Sequence, residues 1–233
     1  MCTSKISLRV TILALATICV SLIGCESPAG PATCAEAEKP APSAAALGPY
    51  ELDDEGFITN WLIVGPFPNP GDRPNNKGFH IDYLKNYGTE PKHVPFNGMQ
   101  IEKDDGTTVN WAPYEATYST RIDLCSVDHL GLGYEEEDVL AYAACWLKCG
   151  KDMSVQIRVG SDDGYKLWLD HKLISEEHVY RAAYRDQESY PVKLSEGMHI
   201  LLIKVDQDYG AFEFMLRVVT PDGNKAPGIK VYN

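Results

Sequence analysis

The sequence predicts an all-β fold, an antiparallel β-sandwich, on three observations. From Tyr50 onward, aromatic and β-branched residues gather in short runs. Clusters of Gly, Pro, Asn and Asp cut those runs at strand-and-turn spacing, the pattern of a sandwich rather than of alternating strands and helices. The sequence holds no internal repeat, coiled-coil heptad or sustained amphipathic helix that would compete with this reading.

The N-terminus precedes that pattern and differs from it. Lys5 and Arg9 lead into the apolar run VTILALATICVSLIG, which is followed by Cys25. A short positive region before such a run is the layout of an export signal, and the run falls short of the roughly 20 residues that a membrane span needs. Leu22-Ile23-Gly24-Cys25 resembles the bacterial lipobox, where processing attaches lipid to the cysteine and cleaves just before it. The resemblance implies a lipoprotein signal peptide over residues 1–24, a lipidated Cys25, and an exported protein anchored to a bacterial membrane, in the cell envelope, the outer membrane or at the cell surface. An ordinary cleaved signal and an uncleaved anchor are the other readings.

Residues 25–48 are rich in Pro and Ala and nearly free of large apolar side chains. Such a segment cannot bury a core and serves as a flexible tether. Residues 49–233 then form a single sandwich domain.

Loss of Lys5 and Arg9 with the signal takes the formal charge from −12 to about −14. That surface excludes nucleic acid, which requires a basic stripe to displace counterions. It suits neutral glycans and divalent cations. Of seven cysteines, Cys34, Cys125, Cys145 and Cys149 remain beyond the signal and the lipidation site. Cys145 and Cys149 share one strand, where four residues span about 13 Å, too far for a bridge. Any disulfide involving them therefore runs to Cys125.

The clearest strands are Trp61–Phe67, Ala141–Cys149, Val155–Gly160, Tyr165–Asp170, His199–Val205 and Phe212–Val219. In the last, Phe212, Phe214, Leu216 and Val218 share the core side, and Glu213, Met215 and Arg217 share a wetter one. Residues 69–92 read as a long loop with one helical turn, and Gly197 marks a hairpin turn before a buried strand.

These segments in this order, WLIVGPF, NWAPY, AYAACWL, VGSDDGYKLWLDHKLI, LSEGMHILLIKV and FEFMLRV, resemble a β-sandwich module of secreted bacterial proteins. That module is similar to the protective-antigen-like (PA14-like) and galactose-binding-like carbohydrate-binding domains, with a jelly-roll or galactose-binding-like topology. The family often places Asn-Gly in the turn after the tryptophan strand, where this chain has Asp170-His171, so a different turn type or a looser hairpin is expected.

In the calcium-dependent members of that group, two adjacent aspartates bind the ion that bridges sugar hydroxyls. The resemblance carries this role to Asp162 and Asp163. Calcium takes six to eight hard oxygen ligands, so another loop must contribute, and Asp206 and Asp208 are expected to, with Asp104 and Asp105 behind them. A second reading needs no ion: one carboxylate accepts backbone N–H bonds within the turn while Gly164 takes the left-handed conformation. For the sugar itself, Trp111 and Tyr114 are the expected aromatic contacts. Trp61, Trp146 and Trp168 lie in strands and are expected in the core.

Enzyme signatures are missing, and adjacent aspartates on an extended chain point to opposite sides, unlike a hydrolytic carboxylate pair. His80, His93, His129, His171, His178 and His199 are scattered and read as solvated, as does the run Glu135 to Asp138. The expectation is a non-catalytic, membrane-anchored lipoprotein that binds a glycan or polysaccharide, with or without calcium. The alternative is a structural or protein-interaction module with an envelope protein as partner, binding neither sugar nor calcium.

Overall fold

The computed structural model describes residues 46–71, 76–117, 119–133 and 137–233. The signal segment, Cys25, Cys34 and nearly all of the tether lie outside them. The chain divides into two units, residues 1–37 and 38–233, and every described residue belongs to the second.

Fourteen strands are described: β1 (Tyr50–Glu51), β2 (Asn60–Pro68), β3 (Gln100–Glu102), β4 (Thr108–Asn110), β5 (Ala112–Glu115), β6 (Ile122–Asp123), β7 (Val139–Cys149), β8 (Met153–Asp162), β9 (Tyr165–Leu169), β10 (Lys172–Glu177), β11 (Glu188–Leu194), β12 (Gly197–Gln207), β13 (Glu213–Val219) and β14 (Lys230–Tyr232). The larger sheet runs β1-β14-β7-β12-β9-β10, with β2 beside β7 and β5 beside β2. The smaller runs β11-β8-β13-β6, and β3 and β4 form a separate hairpin. All pairings are antiparallel.

The two sheets close on one apolar core. Ala141, Ala143, Cys145 and Leu147 of β7 meet Val155, Ile157 and Val159 of β8 and Phe214, Leu216 and Val218 of β13. The alternate residues of β7, Leu140, Tyr142, Ala144 and Trp146, enter a second cluster on the far side of the larger sheet. There Leu84, Ile101 and Trp111 of the segment after β2 fold back over it. A strand covered on both faces reads as a continuous apolar run, as AYAACWL does.

That covering segment carries three 3₁₀ turns, Gly78–His80, Lys85–Tyr87 and Glu90–Lys92, rather than one helical turn. A buried ion pair pins it down. Lys204, fully buried on β12, donates to Phe79 O (2.9 Å), Ile81 O (2.7 Å) and Glu90 Oε1 (2.8 Å). The Tyr142 hydroxyl donates to the same Glu90 oxygen at 2.7 Å. Burial pushes the Lys204 pKa down and that of Tyr142 up.

Residues 178–187, without regular structure, cover the outer face of the smaller sheet. The side of β13 expected to be wet is therefore buried: Met215 packs with Phe57 and Ala183, and Arg217 pairs with Asp186 (Nε to Oδ1, 2.7 Å). The chain approaches β8 so closely that a Cβ on Gly160 would lie 2.0 Å from Tyr184 O.

Two turns differ from expectation. Asp170 (φ 48°) and His171 (φ 68°) both take positive φ and close a two-residue hairpin between β9 and β10, as an Asn-Gly pair would. Tertiary contacts offset the backbone cost, since Asp170 accepts from Ile200 N (3.1 Å) and meets His199 Nδ1 (2.6 Å), while His171 Nδ1 meets Pro91 O (2.6 Å). Gly197 does turn, at φ 120°, yet β11 lies in the smaller sheet and β12 in the larger. The turn before β12 thus crosses between sheets instead of closing a hairpin.

Candidate binding site at the Asp162–Asp163 corner

β8 ends at Asp162 in the smaller sheet and β9 starts at Tyr165 in the larger, so Asp162-Asp163-Gly164 is a corner between sheets. The Asp162–Asp163 peptide bond is cis. The end of β12 lies against this corner: Asp163 N donates to Asp206 O (3.0 Å) and Asp206 N to Gly164 O (3.1 Å). Gly164 is not left-handed, contrary to the ion-free turn reading. Glycine is needed because a Cβ would lie 2.5 Å from Asp206 Oδ1 and 2.6 Å from Glu177 O.

The structure brings Asp162, Asp163, Asp206 and Asp208 to one end of the sandwich, at 6%, 2%, 2% and 5% exposure. Asp163 accepts backbone bonds, but from other loops rather than from its own turn. Arg181 N donates to Oδ1 (2.8 Å) and Asp208 N to Oδ2 (2.9 Å). Asp208 Oδ1 accepts from Asn76 Nδ2 at 3.2 Å. Asp206 Oδ2 has only long contacts, with Asn69 Nδ2 (3.4 Å) and His178 Nε2 (3.8 Å).

Compensation is incomplete. Asp162, Asp163 and Asp206 have no lysine or arginine at ion-pairing distance among the described residues. The buried oxygens Asp162 Oδ1, Asp206 Oδ1 and Asn76 Oδ1 lack hydrogen-bond partners. Burial, reinforced by the charges of Asp163 and Glu213, pushes Asp162 up to about 7. Burial and then Asp163 push Asp206 up to about 7 as well. Burial also raises Asp163, partly offset by its amide bonds.

A cavity of about 10 Å³, room for one water-sized occupant, lies among Asn76, His178, Val179, Tyr180, Asp206 and Asp208. His178 stacks on Phe79 (centroids 4.3 Å apart, planes 7°), and burial lowers its pKa, so it contributes little positive charge at neutral pH. The partnerless oxygens of Asp162, Asp206 and Asn76 are hard, the ligand type calcium takes, while Arg181 Nε is a buried nitrogen without a partner at the same corner. Among the described residues, however, no three Asp, Glu, His or Cys side chains converge as a preformed metal site.

Other expected residues lie elsewhere. Trp111 is fully buried against His93 (5.4 Å) in the second apolar cluster and cannot face a ligand, because the segment expected to expose it folds back over the larger sheet. Trp61, Trp146 and Trp168 are buried as expected. Tyr114 is half-buried and lines a separate cleft of about 310 Å³ with Glu115, Arg121, Asp123 and Glu213. Asp104 and Asp105 sit at the tip of the β3–β4 hairpin, Asp104 being 3.5 Å from Lys85. His93 and His199, expected to be solvated, are 1% and 2% exposed. Cys145 is a buried thiol, so the Cys125 to Cys145 bridge is not formed.

Sequence reasoning missed the exposed tyrosines. Tyr180 (56%), Tyr184 (66%) and Tyr209 (53%) stand on the two loops that reach the corner. All three lie outside strands beside charged residues, a signal that was present in EEHVYRAAYRD and DQDYG.

No family model matches the chain, and no curated protein does. Among solved structures, the PA14 domain of the MpAFP antifreeze protein is 13% identical with a TM-score of 0.43, covering 84% of this chain and 96% of that one. The Epithelial Adhesin 9 A domain from Candida glabrata, in complex with Galb1-4GlcNAc, is 7% identical with a TM-score of 0.44, covering 83% and 93%. An anti-sigma factor domain-containing protein is 17% identical with a TM-score of 0.36; the match covers 41% of this chain and spans 32% of that protein. Likenesses this distant carry no ligand or residue role to this chain.

Proposed function

We propose that the chain is a non-catalytic carbohydrate-binding module, exported and held to a bacterial membrane through Cys25, whose ligand docks at the Asp162–Asp163 corner with calcium as counter-charge. The observation that supports this reading is the set of buried, under-compensated carboxylates at one end of the sandwich. Buried carboxylates with no lysine or arginine at ion-pairing distance and with oxygens left unbonded are driven toward protonation or neutralisation. At neutral pH a divalent cation can act as the neutraliser, and carboxylate and carboxamide oxygens favour a hard one.

Asp162, Asp206 and Asn76 would hold calcium through their partnerless oxygens, and Asp163 and Asp208 through lone pairs that their amide bonds leave over. Side chains must first turn inward, since no preformed cage is present among the described residues. The bound ion would supply open coordination positions for ligand hydroxyls. Residues of this chain do the rest: Asn69 and Asn76 orient the carboxylates, and the burial of the corner keeps water from weakening the electrostatics.

The test is retention on an array of neutral glycans in millimolar calcium and again in chelator. Retention in calcium that chelator abolishes is the expected result. Retention unchanged by chelator removes the ion from the account. No retention in either condition overturns sugar binding and leaves the protein-interaction module.

A further inference from the structure

We infer that Tyr180 and Tyr209 are the ring-contacting residues of this end of the molecule, and that Asp163 positions both through its two carboxylate oxygens. This rests on the carbohydrate reading and specifies its ligand as one with an apolar ring face, a pyranose.

The geometry is unusual in its economy. Asp163 Oδ1 takes the amide of Arg181, next to Tyr180, and Oδ2 takes the amide of Asp208, next to Tyr209. The Tyr209 amide also bonds this carboxylate. Two loops far apart in sequence, one between β10 and β11 and one between β12 and β13, are therefore tied to one side chain. Each loop presents a tyrosine more than half exposed immediately beside its tie.

Exposed tyrosines are ordinary when they stand alone. These differ because Tyr180 also lines the cavity that Asp206 and Asn76 face, and both of those residues are at least nine-tenths buried with a partnerless oxygen. An aromatic face beside converging oxygen acceptors is the arrangement that holds a sugar, with the ring against its C–H face and the polar groups on its hydroxyls. Tyrosine suits the role because its ring brings contact area at low conformational cost and its hydroxyl stays in water.

Tyr184 provides the internal control. It is the most exposed of the three, but no bond to Asp163 holds its position; its backbone instead lies against Gly160 on the outer face of the smaller sheet.

The experiment uses the full chain, an array of neutral glycans in millimolar calcium, and the variants Tyr180→Ala, Tyr209→Ala, Tyr184→Ala and Asp163→Ala. Tyr180→Ala and Tyr209→Ala should each weaken retention about tenfold, or about 1.4 kcal/mol, with urea midpoint and calcium affinity unchanged. Tyr180→Trp should restore binding and Tyr184→Ala should leave it intact. In Asp163→Ala, which removes both acceptors, the amides of Arg181, Asp208 and Tyr209 should lose hydrogen-exchange protection together while the β7–β12 ladder keeps its own. Wild-type retention unaffected by both tyrosine variants overturns the inference and leaves the carbohydrate reading standing. Absence of wild-type retention overturns both. Loss of protection in only one loop of Asp163→Ala, or in neither, removes Asp163 as the positioning residue.

Discussion

Replacing Asp206 by Asn should stabilise the protein in chelator and destroy its response to calcium. Asp206 is 2% exposed, has no lysine or arginine at ion-pairing distance among the described residues, and is pushed from 3.8 up to about 7 by burial and by Asp163. A carboxyl that binds its proton more tightly when folded makes stability fall as pH rises from its unfolded to its folded pKa. The slope is roughly 1.4 kcal/mol per pH unit for each such group. Between about pH 4 and pH 7 this accumulates to at most about 4 kcal/mol from Asp206, and Asp162 adds a contribution of the same sign. Asn keeps the shape and the acceptor facing Asn69 but carries no charge. The variant should therefore exceed wild type by about 2–4 kcal/mol at pH 8 in chelator, with most of that advantage gone by pH 5. His93 and His178, both depressed by burial, act with the opposite sign below pH 6.5 but are neutral in folded and unfolded chains at pH 8. Urea unfolding at pH 5 and pH 8 measures both differences. A variant at least 1 kcal/mol less stable than wild type at pH 8 in chelator would show that Asp206 is already compensated, and the electrostatic reasoning would fail.

Other outcomes follow from the same structure. Lys204→Met should cost about 3–5 kcal/mol in urea unfolding, because Glu90 is left buried without its cation, and adding Glu90→Gln should recover part of that loss. Gly164→Ala should destabilise the protein by at least about 2 kcal/mol, since the new methyl meets Asp206 Oδ1 and the Glu177 carbonyl; an unchanged thermal midpoint would contradict the close packing at the corner. Asp170→Ala should cost about 1–3 kcal/mol through the loss of the Ile200 amide bond and the His199 contact that hold the positive-φ turn. Cys25→Ser should abolish incorporation of labelled palmitate and partition into detergent; labelling that persists would remove Cys25 as the anchor.

How much was legible in the sequence depended on where the covering chain came from. The central strands β2, β7, β8, β9, β12 and β13 announce themselves because burial on one or both faces demands apolar runs. The edge strands β10 and β11 do not, since KLISEE and ESYPVKL keep polar or charged residues on their open sides and Pro191 interrupts the second. Trp111 reads as accessible in the sequence but is buried, because its burial depends on a segment folding back across a sheet, which no local pattern encodes. Asp162, Asp163, Asp206 and Asp208 are legible as candidates, and the end of β12 does lie against the Asp162–Asp163 corner, although no three such side chains converge among the described residues. Their long-range bonds are not legible: Asp163 looks like a turn former in Ser-Asp-Asp-Gly, yet its partners lie 18 and 45 residues away. Tyr180 and Tyr209 carry no local pattern that separates them from ordinary exposed loop tyrosines, because what distinguishes them is the long-range tie of each loop to Asp163.

The most direct test of the central claim is a calorimetric calcium titration of the wild type and of the Asp162→Asn, Asp163→Asn double variant near pH 7.5. The account predicts saturable binding in the wild type and none in a variant that still unfolds cooperatively. Absence of wild-type binding up to millimolar calcium, or equal binding by the folded variant, would contradict it.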